Sequence, residues 1–219
     1  MALPARRHDL SPVKRRQILA GARAVFGELG YERASVDRVA ARAGVAKATV
    51  YSHFGEKKAL FVACFSEEAD ALREELGRAL GAVGGDPRLA LQRFGELLVK
   101  VLVSPPFVSL YRHTAAEAER FPEVGELVFA RGPAVVNRAV ADWLRRWEAL
   151  GALELGDAAA AARQFTLLCQ GDLVIRAHWG VSRRPTAGEV RATVRGAVRT
   201  FLCAHAPGAG RAPAWPDRR

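Results

Sequence analysis

Residues 35–57 read SVDRVAARAGVAKATVYSHFGEK, and their spacing predicts two short helices joined by a tight turn. Ser35 offers a hydroxyl to the unpaired N–H groups at the start of the first helix, and Val36, Val39 and Ala40 share one face of it. Gly44 interrupts that helix. Val45, Val50 and Phe54 then recur at positions that turn the apolar side of a second helix inward. Lys47, Ala48, Thr49, Tyr51, Ser52 and His53 are left on its outer surface.

Neither helix is long enough to stand alone in water, so both need a packing partner. The stretch from Ser11 provides one. Pro12 sits at the favoured first helical position, and Ile18, Leu19, Ala22, Val25, Phe26 and Leu29 form one stripe opposite Arg15, Arg16 and Arg23, up to Gly30. Residues 1–11, with Arg6, Arg7 and His8, are expected to be a flexible arm. After Phe54, a long helix is expected to run to about Leu80 with Leu60, Phe61, Cys64, Ala71 and Leu76 inside. Residues 81–87, GAVGGDP, read as a loop in which Asp86 caps the next helix. Further helices are expected over 87–103, 106–120, 122–131, 133–150, 157–179 and 186–204, separated by prolines and glycines. No segment alternates as a strand does, so the fold class is all-α. Residues 206–219, rich in Pro, Gly and Arg, are expected to be a disordered tail.

The chain has 219 residues, half of them hydrophobic, which suffices for a substantial core. Its formal charge of +10 is unevenly placed. Residues 1–58 hold 12 Lys/Arg against 5 Asp/Glu, a net +7, and the remainder hold 21 against 18, a net +3. A basic surplus on a small helical module points to a polyanion, above all nucleic acid. No apolar run approaches the roughly 18 to 20 residues of a membrane span, and the first ten residues lack the apolar segment of a secretory signal. The expected location is the cytoplasm, with no membrane partner. Cys64, Cys169 and Cys203 are too scattered for a disulfide framework or a zinc site, and all three read as small buried hydrophobes. There is no phosphate-binding glycine loop, metal-ligand cluster or strand-borne nucleophile, so neither metal, cofactor nor catalytic residue is expected and an enzyme is the weakest reading.

The run ILAGARAVFGELGYERASVDRVAARAGVAKATVYSHFGEKKALF, Ile18 to Phe61, closely resembles the DNA-binding domain of TetR-family transcriptional regulators. The resemblance rests on the Phe-x-x-x-Gly-Tyr run, the Ala-Gly-Val turn, the Thr-Val-Tyr-x-His-Phe helix and the following Lys. It implies a three-helix helix-turn-helix domain over 12–58, followed by a helical effector-binding and dimerisation domain over 59–205. It places Ser35, Lys47, Thr49, Tyr51, His53 and Lys57 toward double-stranded DNA. Their chemistry agrees, because ammonium, hydroxyl and imidazole groups donate to phosphates or base edges. Tyr51 and His53 can alternatively pack against the neighbouring helix. Ala46 stands where the family often has a capping Ser, an omission that costs about 1 kcal/mol. Asp37 occupies a position where some relatives carry a DNA-contacting base, and its charge would repel phosphate; Arg38 and Arg42 flank it.

Within the larger domain, YRHTAAEAERFPEVGELVFARGP, Tyr111 to Pro133, is similar to the C-terminal domain of the AefR-like subgroup. The implied cavity would take a small-molecule effector, with Phe94, Tyr111, His113, Glu117, Phe129, Trp143, Trp147, Phe165 and Asp172 as candidate lining. For any one of the aromatics, plain core packing is the competing reading, and His113 with Glu117 suits an ion pair better than a metal. Phe165, Cys169 and Leu173, with Val190, Val194, Ala197 and Phe201, form apolar stripes suited to the four-helix homodimer interface that the resemblance implies. Burial within one chain competes with it. The function so implied is a ligand-responsive regulator, most simply a repressor whose dimer releases a near-palindromic operator. The alternatives are a ligand-independent architectural DNA-binding protein and an enzyme using the C-terminal cavity.

Overall fold

The computed structural model describes residues 11–81, 85–181 and 184–208, without the side chains of 65–69, 71–72 and 117. Residues 1–10 of the expected arm and 209–219 of the expected tail lie outside it. The described residues form eleven helices and no strand: α1 (Pro12–Arg33), α2 (Val36–Ala43), α3 (Lys47–Phe54), α4 (Lys57–Leu80), α5 (Pro87–Leu102), α6 (Pro105–Glu117), α7 (Pro122–Arg131), α8 (Pro133–Ala149), α9 (Ala158–Gln170), α10 (Leu173–Trp179) and α11 (Ala187–Ala204).

Two boundaries differ from expectation. Helix α1 does not end at Gly30 but kinks there, with φ 75° and ψ 179°, and runs one more turn to Arg33. Only glycine adopts that backbone readily. The single helix expected over 157–179 is broken at Gly171, whose φ is 49°. A Cβ at Gly171 would lie 2.9 Å from the Thr193 methyl, so α11 approaches the break closely.

Compactness divides the chain into two units. The first takes the described part of Met1–Asp70 together with Ser109–Arg131, and the second takes that of Ala71–Val108 and Gly132–Arg219. A segment expected in the second domain thus packs with the first.

In the first unit, Ile18, Leu19, Ala22, Val25 and Phe26 of α1 meet Val36, Val39 and Ala40 of α2, Val50 of α3, Leu60, Phe61 and Cys64 of α4, and Val124 of α7. Tyr31 links the aromatic part of this core, with ring centroids 5.2 Å from Phe61 and 5.6 Å from Phe121. Beside it, Arg120 pairs with Glu32, and Ser109 Oγ donates to the Gly27 carbonyl at 2.6 Å. Gly21 marks the crossing of α1 and α2, where a Cβ would meet the Ala43 backbone nitrogen at 2.9 Å.

The second unit is larger. Helix α11 packs against α5 and α9, and α8 packs against α9. Phe94, Phe165 and Phe201 are its largest fully buried side chains, with Phe165 centred 6.1 Å from Phe94 and 5.1 Å from Phe201. Gly95 makes the tightest approach, since a Cβ there would lie 2.6 Å from Val194 Cγ1 and 2.9 Å from Cys169 Sγ. Burial pushes the Cys169 thiol up to about 12. Cys203, expected inside, is exposed. It lies about 200° around α11 from Phe201, on the side away from the core stripe.

Among the described residues, no single helix is long and apolar enough to cross a membrane.

Candidate nucleic-acid interface

The turn between α2 and α3 is built from local chemistry. Ser35 Oγ accepts the Arg38 N–H at 3.3 Å and caps α2. Gly44, at φ 66°, returns its N–H to the Ala40 and Ala41 carbonyls, and Val45 N–H reaches the Ala40 carbonyl at 3.0 Å. The chain then re-enters a helix at Ala46, which supplies no side-chain cap.

Val50, 2 % exposed, anchors α3 to the core. Lys47, Ala48, Tyr51 and Ser52 are exposed on the opposite side, whereas Thr49 and His53 are half-buried. Ser52 Oγ donates back to the Thr49 carbonyl at 2.8 Å. His53 Nδ1 is buried without a hydrogen-bond partner. Burial lowers the affinity of this imidazole for a proton, and the charges of Arg15 and Lys14 lower it further. Arg15 itself lies 5.5 Å over the Phe54 ring.

Three of the six expected contact residues, Ser35, Lys57 and Lys47, are engaged within the module. Ser35 is a cap, and Lys57 Nζ donates to the carbonyls of Glu32 and Ala34, both at 3.2 Å, while sitting 4.5 Å over the Tyr31 ring. Lys57 therefore ties the corner between α1 and α2. Lys47 lies 2.9 Å from each carboxylate oxygen of Asp37, and this contact holds the ammonium more firmly protonated than an ordinary lysine. Arg42 forms a two-pronged pair with Glu28 at 3.0 and 2.9 Å. The sequence marks Asp37 as adverse to phosphate, but a partner ten residues away across a turn is visible only in three dimensions.

The nine candidate effector residues do not converge in one unit. Tyr111, His113, Glu117 and Phe129 fall in the first and the other five in the second. Tyr111 and Phe129 are exposed, at 47 % and 61 %, His113 is half-buried, and the side chain of Glu117 lies outside the described residues. Phe94 and Phe165 are wholly buried against one another. Trp143 and Trp147 are also buried, 5.6 Å apart, and both indole N–H groups lack an acceptor. Asp172 is exposed and pairs with Arg176 at 3.3 Å. None of the nine lines the groove of about 410 Å³ between α5 and α11, which is lined by Lys100, Arg184, Arg191 and Glu96 together with the apolar Leu97, Val103 and Val190. Among the described residues no cluster of three or more His, Cys, Asp or Glu could hold a metal ion.

The seven residues expected at a dimer interface are core residues of this chain. Phe165, Cys169, Leu173, Val190, Val194, Ala197 and Phe201 are all at most 8 % exposed. They belong to one core cluster with residues of α5, the competing reading of burial within one chain. The exposed apolar residues of this region are instead Leu167 and Leu168 on α9, Ile175 and Trp179 on α10, and Val181.

Comparison with known proteins places these features. Residues 18–64 match the family of bacterial regulatory proteins of the tetR type, and residues 89–207, more than half of the chain, match the C-terminal domain of AefR-like transcriptional repressors. The HTH-type transcriptional repressor Rv1474c of Mycobacterium tuberculosis is 35 % identical over 82 residues, which is 37 % of this chain. The chain spans only about two fifths of that relative's length, 43 %. A TetR-family transcriptional regulator from Mesorhizobium loti superposes with a TM-score of 0.80 at 25 % identity, over 89 % of this chain and 97 % of that one. A flavonoid-responsive regulator, FrrA, gives 0.76 at 29 % identity, over 91 % and 100 %.

Proposed function

Because the chain belongs to the TetR family of bacterial regulatory proteins, we propose that it is a cytoplasmic, ligand-responsive transcriptional repressor that binds operator DNA as a homodimer. The observation that carries this reading is the exposed face of α3, with Lys47 and Tyr51 displayed and Thr49 half-buried beside them, over a helix pinned from beneath by Val50. An eight-residue helix offering donors on its outer face suits the major groove. Lys47 donates to a phosphate or a guanine, Tyr51 to a backbone oxygen, and Thr49 donates to a phosphate or packs its methyl against a thymine methyl. Ser35 and Lys57 support the surface from within.

The homodimer is assigned to the exposed apolar residues on α9 and α10. Leu168 on α9 is exposed, as are Ile175 and Trp179 one turn apart on α10, and Trp179 is 74 % exposed. Large apolar side chains exposed on neighbouring helices, with a Trp among them, are the kind of surface that partners cover. Two-fold pairing would set two α3 helices about 34–36 Å apart, one turn of the duplex. The effector acts by population shift, binding best to a form whose reading helices are misplaced for the operator. The relative named for flavonoids makes a planar aromatic compound the first effector to test, and the surplus of Lys100, Arg184 and Arg191 over the one carboxylate of Glu96 in the groove makes an organic anion the second.

The decisive experiment selects bound sequences from a random DNA pool and measures affinity for the winner against random DNA. The reading requires a strong preference for the selected site and a loss of binding in the Lys47→Ala/Tyr51→Ala double variant. Equal affinity for both DNAs would favour the architectural alternative. For the dimer, light scattering of Leu168→Glu/Trp179→Glu should report a monomer where the parent chain is dimeric.

A further inference from the structure

We propose that Asp37 is a specificity-determining residue, which keeps sequence-independent DNA binding weak by holding Lys47 in a neutral pair. The inference rests on the reading of α3 as the DNA-facing helix. Its basis is the geometry across the turn: both carboxylate oxygens stand 2.9 Å from Lys47 Nζ.

The pair lies at the surface, with the two side chains 52 % and 64 % exposed. An exposed pair of this kind is screened by water and adds little to folding, so stability gives little reason for placing a carboxylate beside a DNA-reading lysine. Its effect on DNA is larger. Lys47 is the first residue of α3, one turn before Tyr51, and so heads the outward face. Contact between an ammonium and a phosphate positions the protein but carries no sequence information, and each phosphate neutralised steepens the salt dependence of binding by about one. On random DNA a phosphate must either displace Asp37 from Lys47 or accept the carboxylate beside it. Either route costs free energy; in a fully seated helix Lys47 donates to a guanine edge, which brings no phosphate against the carboxylate, whereas a loosely docked helix meets phosphate and carries the cost in full. The carboxylate thus weakens loose binding more than specific binding.

The test measures the affinity of the full chain for its selected operator and for random duplex DNA across a salt series, comparing the parent with Asp37→Asn, Asp37→Glu, Lys47→Ala and the double variant Asp37→Asn/Lys47→Ala. Thermal melts establish that each variant is folded. For Asp37→Asn, affinity for random DNA should rise about fivefold near 0.15 M salt, with a slope steeper by about one. Operator affinity should rise less, so that the specificity ratio falls, and Asp37→Glu should restore the parental ratio. In the Lys47→Ala background the Asp37→Asn effect should disappear. Unchanged random-DNA affinity in Asp37→Asn would overturn the proposal. An equal effect with and without Lys47 would also overturn it, because Asp37 would then be repelling phosphate directly. If the parent chain binds no DNA, the assignment of α3 fails and this inference with it; if the parent binds a selected operator, the variants judge the inference alone.

Discussion

Each unit has a glycine at its tightest helix crossing, but what the glycine meets differs. In the first unit Gly21 faces Ala43 chiefly through its backbone, with the nitrogen 2.9 Å, Cβ 3.0 Å and Cα 3.1 Å from where a Cβ would stand. In the second, Gly95 faces side chains, Val194 Cγ1 at 2.6 Å and Cys169 Sγ at 2.9 Å. The small unit therefore sets its helix angle by main chain against main chain, which leaves the outer face of α3 on a fixed base. The larger unit sets its angle by interlocking side chains, which another set of side chains could replace.

The largest expected effect addresses the larger core. Phe165→Ala removes a ring packed between Phe94 and Phe201 and should destabilise the second unit by about 3–5 kcal/mol in denaturant melts. The glycines come next. Gly21→Ala and Gly95→Ala should each cost about 1–3 kcal/mol. The comparison predicts opposite responses to a compensating change. Val194→Ala should restore much of the loss in Gly95→Ala, because it removes the nearest clashing atom. Ala43→Gly should restore little in Gly21→Ala, because the backbone nitrogen remains. Equal rescue in both would erase the distinction drawn between the units.

A smaller effect should come from Thr186→Ala. Thr186 and Glu189 form a reciprocal cap at the start of α11, with Glu189 N–H donating to Thr186 Oγ at 3.2 Å and Thr186 N–H to the Glu189 carboxylate at 2.7 Å. Its loss should cost about 1 kcal/mol.

The smallest should be the pH dependence contributed by His53. Its folded-state pKa lies below the ordinary value near 6.5 because burial, then Arg15 and Lys14, disfavour the charged ring. The unfolded chain therefore binds the proton more tightly. The stability contribution is fully present above the unfolded value and is lost as pH falls through the lower folded value. Melts at pH 7.5 and 5.0 should show a smaller acid-induced drop in His53→Gln than in the parent chain.

Legibility in the sequence followed the same division. The outer set on α3 could be read from Val45, Val50 and Phe54 because one face of that helix is apolar and the other is not. Helix α9, AAAAARQFTLLCQ, is apolar on both sides. Phe165 and Cys169 make one stripe, Leu167 and Leu168 extend another, and periodicity cannot choose which faces inward. The choice depends on where α5 and α11 lie, and Gly95 admits α11 closely on the Cys169 side. The break at Gly171 is similarly non-local, since Thr193 of α11 stands against it. The resemblance to the family fixed the helical architecture, but the partners of Lys47 and Lys57 depend on distances that no motif records.

The kink at Gly30 gives α1 a pivot. The turn beyond it carries Tyr31, which touches Phe61 and Phe121, and Glu32, which pairs with Arg120 and lends its carbonyl to Lys57. Displacement of the corner between α6 and α7 can therefore reach α1 through a single turn hinged on one glycine, next to the Ser35 start of α2. In mechanical terms this turn is a short crank: its angle is set by one residue's backbone torsions, and any side chain at position 30 would disfavour the bend on which it turns.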